Sequence, residues 1–239
     1  MGNCNFTDER LMVRNYDDFL RILMDAGFSM GGTNAENIFA ITPWSWNEQP
    51  PYDTPVRWHT GDAETDPWEW RMRVLEERDD IAYAKLFFKK SGFITRQWYP
   101  YFLAARRGNM SFDDAYESGT INHFAKRIYD VVVQGGAVPV HDIKQMAGFG
   151  KDDKSSFDRA LTELQMRMYL TMCGSRQKSQ REDGWASTVF CTTEEFFGEA
   201  VHEEAASISK EEAQEKIREQ ILKLNTDAQD KKISKFILG

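Results

Sequence analysis

The sequence predicts an α+β fold that is mainly helical, with small β-hairpins. Three observations carry this. Apolar residues recur at helical spacing in several segments bounded by Gly, Pro, Asn and Ser. The β-prone runs are few and short, at residues 81–88, 169–173 and 185–191. Between Thr120 and Thr193, three helical segments precede two of those runs, in the order of a winged helix-turn-helix.

The first helix is expected over Tyr16 to Gly27, where Phe19, Leu20, Leu23 and Met24 share a spacing and Gly27 suits the stop. Ser29 to Thr33 reads as a Gly-rich turn and Asn37 to Ile41 as a short strand. Residues 43–65 are rich in Pro, Trp, Asn and Asp and read as an ordered loop. Asp66 is an N-cap, Pro67 fits the first helical position, and Glu69 completes a capping-box-like pattern. The apolar run Ile81 to Phe88 is a strand expected to end at Ser91-Gly92. Arg96 to Arg107 is expected to be helical in whole or part, with Pro100 disturbing it. Ser111 and Asp114 open another short helix.

The winged-helix pattern follows. Asn122 to Gln134 is its first helix, with Phe124, Ile128, Val131 and Val132 inward and Gly135-Gly136 as the stop. Val138 to Val140 is an extended link, and His141 to Ala147 a short second helix. The third helix, capped by Ser155 or Ser156, runs to Met168 and buries Phe157, Ala160, Leu161, Leu164 and Met168. Tyr169 to Cys173 and Trp185 to Cys191 then flank a polar tip, Gly174 to Gly184, which is the wing. Past Thr193 lies an acidic stretch. Ser209 and Glu212 cap a helix whose stripe is Ala213, Ile217, Ile221 and Leu224. A last amphipathic turn, Ile233 to Leu238, folds back on the body or binds a partner. The expected division is a Trp-rich N-terminal domain at 1–110, a winged helix at 111–197 and an acidic C-terminal helical segment at 198–239. One arrangement for the N-terminal domain is a second, degenerate winged-helix-like unit, which would make the chain a tandem.

Composition bounds the function. Hydrophobic residues are 41% of the 239, enough for a core and too many for whole-chain disorder. No apolar run approaches the ~18 residues that cross a bilayer. Charged residues occupy Met1 to Arg14 where a signal peptide needs an apolar stretch, so a cytoplasmic location is the default expectation. Three widely spaced cysteines, without a CxxC pair, fit neither a disulfide framework nor a zinc site. Cys173 and Cys191 either touch across a hairpin or sit as reduced, packed thiols. No metal or cofactor is expected, since the chain has no P-loop, HExxH, GxSxG or dinucleotide fingerprint.

Net charge is −8, whereas Lys151 to Arg181 holds seven basic and four acidic residues, a local +3. Such a contrast fits one face that meets phosphate. The expected double-stranded DNA contacts are Ser155, Arg159, Thr162 and Arg167 on the third helix, with Arg176, Lys178 and Arg181 on the wing. The other use of such a module is protein binding.

Six of the seven tryptophans fall between Trp44 and Trp98, with Pro-Trp-x-Trp at 43–46 and again at 67–70. Core packing explains them, with each indole N–H finding a partner. The alternative is an aromatic pocket for a flat ligand, built from Trp44, Trp46, Gln49, Trp58, Asp66, Trp70 and Arg71.

The segments Thr42 to Gln49, Asp66 to Arg71 and Lys85 to Ile94 resemble the AlkZ-related proteins of bacteria, across roughly Tyr16 to Phe197. The resemblance implies kinship with AlkZ DNA glycosylases, which are built from winged-helix units, and hence a DNA-binding role in repair or regulation. Those enzymes position water with a Gln-x-Gln motif. None occurs here, so no catalytic residue is carried over. Two further functions stay open: base or nucleotide hydrolysis in the Trp-lined pocket with Asp66 or Glu69 as base, and a protein-interaction module using the C-terminal helices.

Overall fold

The computed structural model describes residues 11–177 and 186–239. It is an α+β fold, with eleven helices and six strands among the described residues. Helix α1 (Tyr16–Ala26) begins where the Asn15 side chain accepts the Asp18 N–H at 2.9 Å, and ends at Gly27, φ +88°. A Cβ at Gly27 would lie 2.0 Å from the Trp98 indole, so glycine is required for space as well as for conformation. Strand β1 (Phe28–Met30) follows. The strand expected at Asn37 to Ile41 shrinks to one bridge, Met30 to Ala40. Asn37 sits at φ +52°, which interrupts an extended run.

Helix α2 (Pro67–Glu77) starts at Asp66, as its cap predicts. Strands β2 (Ile81–Phe87) and β3 (Lys90–Thr95) form a hairpin turning at Phe88-Lys89, both at positive φ. The expected end at Ser91-Gly92 is therefore wrong: both residues lie inside β3. Gly92 is there because the Phe87 ring and the Ser29 carbonyl occupy the space of a side chain. In α3 (Tyr99–Arg106), Pro100 sits in the first turn, where no intrahelical N–H is needed, so it does not disturb the helix.

Helix α4 (Phe112–Glu117) carries the expected Ser111–Asp114 capping box. Then come α5 (His123–Gly135), β4 (Val138–Pro139), α6 (Val140–Met146), α7 (Lys154–Met166), β5 (Leu170–Gln177) and β6 (Ala186–Thr192). The N-cap of α7 is Asp153, not Ser155 or Ser156; its carboxylate turns back to accept the Gly150 N–H at 2.8 Å. The chain closes with α8 (Thr193–Phe197), α9 (Glu199–Ala206), α10 (Lys210–Leu224) and α11 (Asp230–Leu238).

The strands make one antiparallel sheet in the order β1-β3-β2-β5-β6-β4. The expected small hairpins are thus joined, through the pairing of Tyr83 with Met172. Two apolar clusters lie along the sheet. One gathers Phe28, Trp70, Phe87 and Phe102. The other gathers Ile128, Val132, Ile143, Phe157, Leu164 and Phe190. The C-terminal helices return to the first cluster: Ala213, Ile217 and Ile221 of α10 are fully buried there, and Phe236 of α11 stacks on Phe87 at 3.9 Å. Burying a side chain of that size contributes about 1.5–3 kcal/mol. The apolar stripe of α10 is therefore spent inside the chain.

Candidate functional site

Helix α7 buries Phe157, Ala160, Leu161 and Leu164, so its period turns Arg159, Thr162, Met166 and Arg167 outward. That face borders a cleft of about 600 Å³. Its opposite wall is Lys85 of β2 and Lys89 of the hairpin turn; Arg106 of α3 lies at its base, and Leu238 and Gly239 close one end. The two walls meet where Lys85 Nζ approaches Thr162 Oγ1 at 3.4 Å. Below that contact, the Gln165 side chain accepts the Lys85 main-chain N–H at 3.0 Å.

The charge of the cleft is uneven. Arg106 donates to four main-chain carbonyls: Leu86 and Met166 from Nη1, Phe236 from Nη2 and Ile237 from Nε, all at 2.8–2.9 Å. Among the described residues no carboxylate pairs with it. Burial pushes its pKa down to about 9, still above neutral pH, so it keeps its charge. Three of those carbonyls lie at the C-terminal ends of α7 and α11, where the helix dipoles are negative. Arg167 is paired with Glu163 at 3.1 Å. Lys85, Lys89 and Arg159 have no ion pair among the described residues. Five cationic side chains thus face two side-chain carboxylates, Asp158 and Glu163.

Three residues expected from the sequence, Arg159, Thr162 and Arg167, come together in this cleft. Ser155 is exposed one turn toward the N-terminus, and Arg176 is exposed on β5, opposite Ser187. Lys178 and Arg181 lie outside the described residues. Sequence reasoning missed Lys85, Lys89 and Arg106. Lys85 had one signal, a cation within an apolar run; Arg106 had none, because its partners are backbone atoms.

The expected tryptophan pocket does not assemble. Trp70 is 1% exposed, packed on Phe19 at 5.1 Å and on Tyr16 at 6.3 Å. Trp44 is also buried, edge-on to Tyr52. Their indole N–H groups have no partner among the described residues, against expectation. Trp58 is half-buried and donates to the Trp44 carbonyl at 3.0 Å. Trp46 is 73% exposed and Gln49 is exposed beside it in sequence. Arg71 covers Trp68, its guanidinium carbon 3.2 Å from the ring centre. Asp66 is fully buried and accepts four main-chain N–H groups, from His59, Thr60, Gly61 and Trp68, at 2.7–3.0 Å. Its lone pairs are committed to the loop, which corrects the expectation of a general base. Glu69 is exposed on α2.

Cys173 and Cys191 are both free thiols, and both line a second cavity of about 530 Å³ between β5, β6 and the end of α2. A hydrogen bond between them lowers the Cys173 pKa and raises that of Cys191. Among the described residues no three His, Cys, Asp or Glu side chains cluster to hold a metal, and no helix is long and apolar enough to cross a membrane.

Fold and cleft together define an α+β protein with a basic groove along one surface helix. The family model described as AlkZ related matches residues 13–238, nearly the whole chain, and the protein belongs to the AlkZ-related family. No curated protein and no solved structure matches it.

Proposed function

We propose that residues 111–197 form a winged helix-turn-helix that docks double-stranded DNA, in a protein of repair or regulation without an assigned catalytic step. The element order supports this: α5, α6 and α7 precede the hairpin β5–β6, and β4 between α5 and α6 pairs with β6. The family description, AlkZ related, agrees with the resemblance to AlkZ DNA glycosylases drawn from the sequence. The single observation that carries the proposal is the gathering of five cations around the cleft that borders the outward face of α7, in a chain of net charge −8. Confining positive charge to one face favours phosphate there and repels it elsewhere. Catalysis is left out because the chain has no Gln-x-Gln and Asp66 is consumed by backbone donors.

The test is duplex affinity as a function of salt, for the native chain and for Arg159, Arg176, Lys178 and Arg181 changed singly to Ala. Each lost phosphate contact should weaken binding on every sequence and reduce the log–log salt slope by about 1. Absence of binding at low salt would overturn the proposal.

A further inference from the structure

We infer that the cleft between α7 and the β2–β3 hairpin binds a terminal phosphate on a single nucleotide unit, either a free nucleotide or a phosphorylated strand end. The inference rests on the DNA reading and gives the cleft a ligand of its own.

Size comes first. About 600 Å³ falls in the range of small-ligand sites, roughly 300–1,000 Å³. The two walls touch at the Lys85–Thr162 contact, which bounds the cleft on one side. A volume of that size can hold a nucleotide unit but not a double helix, which could only lie across the mouth.

Charge comes second. Lys85, Lys89 and Arg159 converge from two elements without a carboxylate partner among the described residues. Beneath them, the half-buried Arg106 donates to four main-chain carbonyls and to no side-chain carboxylate among the described residues. Four of its five N–H donors are taken, so it acts mainly as a fixed positive field. A partly desolvated cation without a side-chain counter-ion favours an anion placed beside it in the cleft. A bridging phosphodiester brings one negative charge, whereas a terminal phosphate brings about −1.5 to −2 and three acceptor oxygens. The second better matches three cations that have no carboxylate partner among the described residues.

The rest of the lining suits the nucleoside. Met166 and the half-exposed Leu238 offer apolar contact for a ring. Asp158 and Glu163 would repel phosphate but accept hydrogen bonds from base amino groups.

The experiment measures binding by fluorescence polarisation to one labelled single-stranded oligonucleotide in three forms: 5′-phosphorylated, 3′-phosphorylated and hydroxyl-ended. A blunt hydroxyl-ended duplex is measured alongside, with deoxyadenosine 5′-monophosphate and inorganic phosphate as competitors. At least one phosphorylated form should bind about tenfold or more tightly than the hydroxyl-ended strand. Lys89→Ala and Arg159→Ala should abolish that preference while the thermal unfolding curve stays unchanged. Competition by the free nucleotide identifies the small molecule as sufficient; its failure assigns the site to strand ends. Equal binding of phosphorylated and hydroxyl-ended strands overturns the inference. If the duplex still binds in that case, the DNA reading survives alone; if nothing binds at low salt, both fall.

Discussion

The Gln165 side chain on α7 accepts the main-chain N–H of Lys85 on β2 at 3.0 Å, and its own amide donates to the Leu161 carbonyl at 3.0 Å. Gln165 is 1% exposed, so a polar side chain in a buried position stitches the two halves together beneath the cleft. Gln165→Leu keeps the bulk and leaves the Lys85 N–H without its acceptor. That should cost about 1–3 kcal/mol in chemical denaturation. A loss under ~0.5 kcal/mol, the size of an ordinary surface change, would show that the stitch does not matter.

Asp66 organises the loop before α2. Its two oxygens accept four N–H groups, three from residues 59–61 and one from the first turn of the helix. Asp66→Ala should destabilise the protein by about 3 kcal/mol, since several buried donors lose their acceptor at once. Asp66→Asn keeps one oxygen and should fall between the two. Thermal unfolding together with proteolysis between Arg57 and Thr65 reads both effects. Equal stability of Asp66→Ala and the native chain would refute the staple.

These two residues show what could be read from sequence. Asp66 followed by Pro67 is a local helix-start signal, and the helix is where that signal puts it. Its three further bonds depend on a loop path that no short pattern encodes. Gln165 looked like one more polar position on α7; only the pairing of Tyr83 with Met172, between distant segments, turns it into a buried acceptor. The cleft divides the same way. Arg159, Thr162 and Arg167 follow from helical period alone, while Lys85 and Lys89 reach them by tertiary packing. The tryptophans carried composition but no direction: Trp44 and Trp46, two apart, ended buried and exposed.

Gly92 tests the packing of the first cluster. A Cβ there would lie 2.5 Å from the Phe87 ring and 2.8 Å from the Ser29 carbonyl oxygen, which is main chain and cannot rotate away. Gly92→Ala should cost about 1–3 kcal/mol by forcing β3 from β1 or displacing Phe87 from Phe236. Gly32→Ala is the control, since nothing lies within 4 Å of its added carbon. Matching denaturation midpoints for the two variants would contradict the crowding at Gly92.

Glu194 gives the protein a defined acid response. It bonds Arg107 at 3.1 Å and lies 3.2 Å from His202 Nε2, linking α3, α8 and α9. Burial raises its pKa, but the His202 hydrogen bond and the Arg107 charge outweigh burial and hold it at about 2, against an ordinary 4.5. The folded value is depressed, so the unfolded chain binds the proton more readily. The stabilisation is fully present above about 4.5 and is lost as the pH falls toward about 2. Glu194→Gln cannot titrate and should be less stable than the native chain at neutral pH. Between pH 4.5 and 2 the gap should close, because only the native chain gives up this contribution. Denaturation midpoints at half-unit pH steps measure it. Two curves that stay parallel through that window would mean that another carboxylate governs acid unfolding.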